Sequence, residues 1–361
     1  MAAVAALALA GAGLVAAPAE AGGGHGSLTP VITGLDSPRG VDLQAGKIIY
    51  SVGDGSVYES LLNGKQTRKL GQVPGGFAPA IDTNKWGVTY ALTGAGGEPG
   101  SPPTPGSATL FKLRRGQDPL AVADIGAYQA TDPDPDNTNG PPEESNPFGV
   151  VALNDGTVLV SDAAGNDLLR VWPNGTIKTV ARLKPRVVEV PAGLPPTDPE
   201  GNPLPPAGTP IPSEAVATSV TVGSDGYWYV GELRGFPATP GTSQIWRIKP
   251  GSVDAVCDPE APNTGNCKRF ADGYTSIVDL AGGPKGTLAV VELAKISWLG
   301  WELGGGAPAE GALFLQSPSG NRTELAAGKL ILPAGTAVSH AGDVYVSSPI
   351  FGPGAIYKVK H

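Results

Sequence analysis

The chain has 361 residues, is 40% hydrophobic and only 16% charged, and carries a formal net charge of −8. An acidic surface argues against nucleic acid and anionic membranes as partners. Glycine (53) and proline (37) are abundant, which suits many short strands joined by turns and leaves almost no stretch with helical periodicity.

The N-terminus, MAAVAALALAGAGLVAAPAEAGGG, has an Ala/Leu/Val run followed by the small-x-small pattern Ala19-Glu20-Ala21. It reads as a signal peptide over residues 1–21, although no Lys or Arg precedes the apolar run. Secretion of a mature domain, 22–361, is the expectation. The run is short for a membrane span, no Cys follows it to anchor a lipid, and no later segment has the length and apolarity to cross a bilayer.

From residue 40 onward one pattern recurs: an apolar strand, a tight Gly-containing turn, a second apolar strand. The copies are GVDLQAGKIIYSV (40–52), AIDTNKWGVTYAL (80–92), GVVALNDGTVLVS (149–161), SVTVGSDGYWYVG (219–231), VDLAGGPKGTLAVV (278–291) and GTAVSHAGDVYVS (335–347). Such a unit cannot bury its own apolar face and must stack on its neighbours. The third copy continues through residue 183 with Asp155-Gly156 and Asn174-Gly175 turns, each between apolar runs. Both dipeptides tolerate positive φ and mark hairpins. Four antiparallel strands make a propeller blade, so the expectation is an all-β, six-bladed β-propeller. The last copy ends one strand short, at GAIYKVKH, and SLTPVITGL (27–35) can supply the missing outer strand, closing the ring by pairing the two termini. Gly- and Pro-rich insertions at 93–107, 131–147 and 185–214 fall between strands and read as loops of one body.

Cys257 and Cys267 flank a Pro/Asn/Gly loop with no CxxC and no nearby His. In an exported chain they read as a disulfide.

Propeller topology assigns faces. The turns between first and second strands lie on one face; the ends of the second strands lie on the other, around the channel mouth. Three of those ends carry an acid: Asp162, Glu232 and Glu292. Arg39, Asn146, Ser219 and Ser276, where chain enters the inner strands, join them as candidate ligand contacts. Converging carboxylates and amides suit a hard cation such as Ca²⁺, with Glu232 and Glu292 as its candidate ligands, or supply a general base. In DAAGND (162–167), however, Asp162 and Asn166 read first as turn caps, with Arg170 pairing to a neighbouring blade. For Glu232 and Glu292 both readings stand, since an acid directly after an apolar strand needs a partner. The run DPDPDN (132–137) lacks the Gly of a calcium hand and reads as a solvated acidic loop. His25, His340 and His361 sit where no catalytic base is expected, and no GxSxG, Walker A or GxGxxG pattern occurs.

ESNPFGVVAL…LVSDAAGNDLLRV (144–171), IPSEAVATSVTVGSDGYWYVGELRGFP (211–237) and TSIVDLAGGPKGTLAVVELAK (275–295) resemble the ScyD/ScyE family, named for scytonemin pigment gene clusters. The resemblance runs from about residue 27 to the end and implies a six-bladed propeller related to the NHL and gluconolactonase/regucalcin groups. It implies no settled activity, and no motif match transfers the relatives' metal site to this chain. Two functions follow as expectations. One is a secreted, monomeric module binding a small molecule or an extracellular protein. The other is a metal-dependent lactonase- or lyase-like enzyme at the channel mouth.

Overall fold

The computed structural model describes residues 26–74, 77–96, 104–198 and 201–360. The signal-peptide reading of 1–21, together with His25 and His361, lies outside them. No helix among the described residues is long and apolar enough to cross a membrane.

Six four-stranded antiparallel sheets form the blades. Blades 1 to 5 have inner strands Val41–Gln44, Ala80–Thr83, Pro147–Ala152, Ala217–Val222 and Ile277–Gly282, and each runs outward in chain order. Blade 6 takes Thr336–Val338, Val344–Ser348 and Pro353–Lys360 from the C-terminus, and Ser27–Asp36 completes it. Ser27 pairs with Lys360 and Asp36 with Pro353, so the two ends of the described chain close the ring as the repeats require.

The hairpin turns form for local reasons. At Asp155-Gly156 the Asp carboxylate accepts from the Thr157 amide (3.0 Å) and hydroxyl (2.7 Å). Gly156 sits at φ 89°, where a side chain would be strained. His340 lies in the equivalent turn of blade 6, with Ser339 N–H bonded to the Asp343 carbonyl at 2.8 Å.

Second strands read as unbroken apolar runs rather than alternating ones because both faces of each blade are covered by neighbours. Val158–Asp162, Trp228–Glu232 and Leu288–Glu292 are buried along their whole length. The core is accordingly divided among the blade interfaces. Six hydrophobic clusters are present among the described residues, one between each pair of adjacent blades. Between blades 2 and 3, for example, Tyr90, Leu92 and Leu110 meet Val158, Val160 and Leu169.

Two additions decorate the ring. Arg186–Glu189 and Pro210–Ser213 of the longest insertion pair as a hairpin. Ala255–Cys257 leaves blade 4 and pairs in parallel with the outer strand of blade 3, Ile177–Leu183. Cys257 and Cys267 are bonded, with Cα atoms 5.0 Å apart. Cys267 begins the outer strand of blade 4, so the disulfide ties the rims of two blades together. A disulfide of this kind belongs to an oxidising compartment.

The acidic insertion departs from its solvated reading. Asp134 is buried at 6% exposure and accepts from Asn166 Nδ2 at 3.0 Å. Asp132 pairs with Arg182 at 2.5 Å. Thr138 and Asn139 give their amides to Glu214 Oε1 at 2.7 and 2.9 Å. The prolines hold the chain extended while its acids bind donors on the blades below, so the segment is a clasp over blades 3 and 4.

Replacing both Cys257 and Cys267 by Ser is expected to lower stability by about 2–3 kcal/mol, as for a short closed loop. Thermal unfolding with and without reductant checks this; an unchanged melting temperature would contradict the inter-blade role.

Candidate functional site at the channel mouth

Inner strands converge on the propeller axis around a cavity of about 40 Å³ beside Arg39, Phe148 and Asp279. That is room for a few waters. Glycines permit the approach: a Cβ on Gly335 would lie 2.0 Å from the Arg39 carbonyl oxygen, and one on Gly40 would lie 2.7 Å from Ile81 Cγ1.

Neighbouring inner strands share no ladder, and side chains of one blade satisfy the backbone of the next. Asp82 accepts from Ala152 N (2.6 Å), Thr221 from Gly282 N (2.9 Å) and Asp279 from Thr336 N (2.7 Å). Hydroxyls serve the carbonyls: Ser51 donates to Pro79 O (2.7 Å), Thr218 to Ile277 O (2.6 Å) and Ser347 to Arg39 O (2.8 Å). Asp42 accepts from Leu43 N at 2.6 Å through Oδ1 and leaves Oδ2 buried without a partner.

The acids of the bore are only partly exposed and hold their protons tightly. Burial pushes Asp42 up to about 6 and Asp279 up to about 7. Asp82 is raised by burial and then by the nearby Asp42. Burial brings Arg39 down to about 10, opposed by Asp279. Reading the sequence passed over all three acids, although they stand in its quoted repeats as GVDL, AIDT and VDLA. A carboxyl inside an otherwise apolar inner strand is the signal that marks them.

Of the seven candidates read from sequence, Arg39 lines the bore cavity and the others do different work. The acids ending the second strands fasten the chain entering or leaving their own blades. Asp162 Oδ1 accepts from Asn146 N (2.7 Å), Ala164 N (3.1 Å) and Gly165 N (3.1 Å), and Oδ2 from the Ser145 hydroxyl (2.6 Å). This is the turn-capping reading, with the strand approach added. Glu292 Oε1 accepts from Thr275 N at 2.7 Å, and burial raises it to about 7. Glu232 is fully buried and both its oxygens are taken: Trp246 Nε1 donates to one at 2.5 Å, and Arg234 and Gln244 N donate to the other. Burial raises Glu232 and lowers Arg234, each opposed by the other's charge. Asn146 Oδ1 accepts from Ala95 N at 3.0 Å, and Ser276 Oγ from Trp298 N at 3.0 Å. Ser219 is fully buried, with its hydroxyl unpartnered. Arg170 pairs with Asp155 in its own blade and lies over Trp228 of the next.

Among the described residues no three His, Cys, Asp or Glu side chains gather as metal ligands. Glu232 and Glu292, the acids expected to hold a cation, each bond within their own blade: Glu232 to Arg234, Gln244 and Trp246, and Glu292 to the Thr275 amide.

The mouth itself is aromatic. Arg39 gives Nη1 to Ala78 O (3.0 Å) and Nη2 to Phe148 O (2.5 Å). Its guanidinium lies 3.9 Å from the Phe148 ring centre and 5.3 Å from that of Phe77. Phe77 meets Phe351 at 6.3 Å, and Phe351 stacks on Trp301 at 5.3 Å and 4°. Four rings, Phe148 from the inner strand of blade 3 and Phe77, Trp301 and Phe351 from outside the strands, thus form one row with a cation held inside it. Sequence reading missed this row because its members come from unrelated loop positions.

No family profile matches the chain, and no curated protein matches it in sequence. Solved structures share its fold. A glucose dehydrogenase superposes with a TM-score of 0.57 at 11% identity, over 93% of this chain and 99% of that one. A gluconolactonase from Xanthomonas campestris gives 0.55 at 8%, over 93% and 90%. The PQQ-bound aldose sugar dehydrogenase of Streptomyces coelicolor gives 0.51 at 13%, over 94% and 100%. At these identities the likeness shows the six-bladed propeller fold alone.

The raised acids set a pH dependence. A carboxyl whose folded pKa is raised binds its proton more tightly folded than unfolded. Stability is therefore highest near the unfolded value of about 4 and falls as pH climbs to about 7. The melting temperature is expected to drop across that window, and Asp279→Asn to flatten part of the drop. A melting temperature that rises through the window would contradict the assignment.

Proposed function

We propose that this chain is an exported propeller of the ScyD/ScyE type that binds a small molecule with a flat or apolar ring at its channel mouth. The observation carrying this reading is the set of partly exposed rings Phe77, Phe148 and Phe351, backed by buried Arg39 and Trp301. Both Nη groups of Arg39 are committed to backbone carbonyls, so the mouth offers faces more than free charge. Such faces suit stacking. Asp162 and Glu232, two of the carboxyls ending the second strands, have both oxygens bonded to protein donors, which supports binding over metal chemistry. The disulfide supports export. Family membership rests on the sequence resemblance. The chain is expected to work as a monomer.

A second reading is an enzyme using the bore carboxyls, as the gluconolactonase and glucose dehydrogenase of the same fold suggest. One observation favours it: Asp279 faces the cavity beside Arg39, and burial pushes it up to about 7, the range of a general base at neutral pH.

Thermal unfolding of residues 22–361 in EDTA, then with Ca²⁺, Mg²⁺ or Mn²⁺, separates the two. The binding reading expects no cation-dependent change. A cation bound to the folded state at a hundredfold excess over its Kd stabilises by about 2.7 kcal/mol. A rise of that order, lost in Asp279→Asn, would overturn the binding reading in favour of a metal-dependent enzyme.

A further inference from the structure

The short helix Ile125–Gln129 leads into the acidic clasp, and Gln129 is completely buried. Gly165 makes room for it: a Cβ there would lie 2.2 Å from Gln129 Nε2. Gln129 Nε2 donates to Asp167 Oδ2 at 3.1 Å. That leaves Gln129 Oε1 and Asp167 Oδ1, both buried and both without a hydrogen-bond partner, on two side chains that show no solvent exposure. Two buried acceptors lacking a donor are costly. A single hydrogen satisfies both. A carboxylic acid and a primary amide are complementary, each offering one donor and one acceptor, and close a ring of two antiparallel hydrogen bonds.

We propose that Asp167 is held as a carboxylic acid donating Oδ1–H to Gln129 Oε1, so that this pair is a proton-dependent latch fixing the 125–146 segment on blade 3. The charged groups facing Asp167 agree. Asp162 lies opposite it across one strand pair and Arg182 across the other. Burial raises Asp167 well above the usual carboxylate range; Asp162 and, more weakly, Asp132 raise it further, against the Gln129 bond and Arg182. Arg182 gives one nitrogen to Asp132, and its Nη1 is unpartnered. Loss of the proton removes the Oδ1–H bond, sets Asp167 Oδ1 against Gln129 Oε1 as two facing acceptors, and puts a carboxylate beside Arg182, in competition with Asp132. Both anchors at the start of the clasp thus depend on one proton. Within the clasp Asp134 and Glu144 are raised by burial, as is Tyr128 on the same short helix, and so is Glu214, which the clasp covers; Asp136 and Glu143 also stand in the segment. The segment ends just before Phe148, so the latch acts on one wall of the channel mouth.

Hydrogen exchange of the 125–146 amides in residues 22–361, followed from mildly acidic to alkaline pH and corrected for intrinsic rates, tests this. Above the titration, protection in this segment is expected to fall by roughly tenfold per pH unit, while blade-core amides keep theirs. Asp167→Asn replaces the acid by an amide that makes both bonds at any pH, and is expected to abolish that dependence. A clasp whose protection does not change with pH, or changes identically in Asp167→Asn, would overturn the latch. Should the variant not fold, the carboxyl ¹³C resonance of Asp167 in the unsubstituted protein decides. A carbon still protonated at neutral pH supports the latch, and an ordinary carboxylate titration overturns it.

Discussion

The rest of the structure depends on how inner strands meet without a ladder. Each blade presents an inner edge to the axis, with backbone N–H and C=O groups that no neighbouring strand pairs. A buried unpaired amide or carbonyl is expensive. Here Asp82, Thr221 and Asp279 accept from the next blade's amides, and Ser51, Thr218 and Ser347 donate to its carbonyls. The bond of Ser347 to the Arg39 carbonyl spans the closure between blades 6 and 1. The apolar clusters supply adhesion between blades, which is not directional. The polar lacing fixes how far each blade is rotated and how narrow the bore becomes.

That division explains where the chemistry lies. Carboxyls placed to lace blades sit beside a bore too narrow for water to solvate them fully, so they retain protons toward neutrality. Carboxyls ending the second strands are spent instead on the approaches to the inner strands, or on Arg234. Around buried Arg39 and Trp301 the mouth keeps three partly exposed rings, Phe77, Phe148 and Phe351, and the clasp over blades 3 and 4 borders them at Phe148.

The fold was legible because its signals are local and repeated. The Asp155-Gly156 and Asn174-Gly175 turns, the apolar second strands and the missing strand of blade 6 all follow from short-range rules applied along the chain. The disulfide was legible from spacing and composition. The site was not, for three physical reasons. Side chains at the strand ends can turn toward the axis or toward their own blade, and periodicity does not choose: Glu232 turned to Arg234 and Trp246. The acids of the clasp look solvated in sequence, yet Asp134 and Asp132 meet donors from residues 166 and 182 that only folding brings near. The aromatic row joins residues 77, 148, 301 and 351, each unremarkable alone.

The most direct test of the lacing is the exchange rate of one amide. In the native protein Ala152 N–H is bound by the Asp82 carboxyl oxygen of the preceding blade. Asp82→Ala removes the acceptor and no part of blade 3. The account predicts that the Ala152 amide loses protection selectively and that stability falls by about 1–3 kcal/mol, the cost of a stranded buried donor. Unchanged protection at Ala152 with unchanged stability would show that apolar packing alone holds the blades in register.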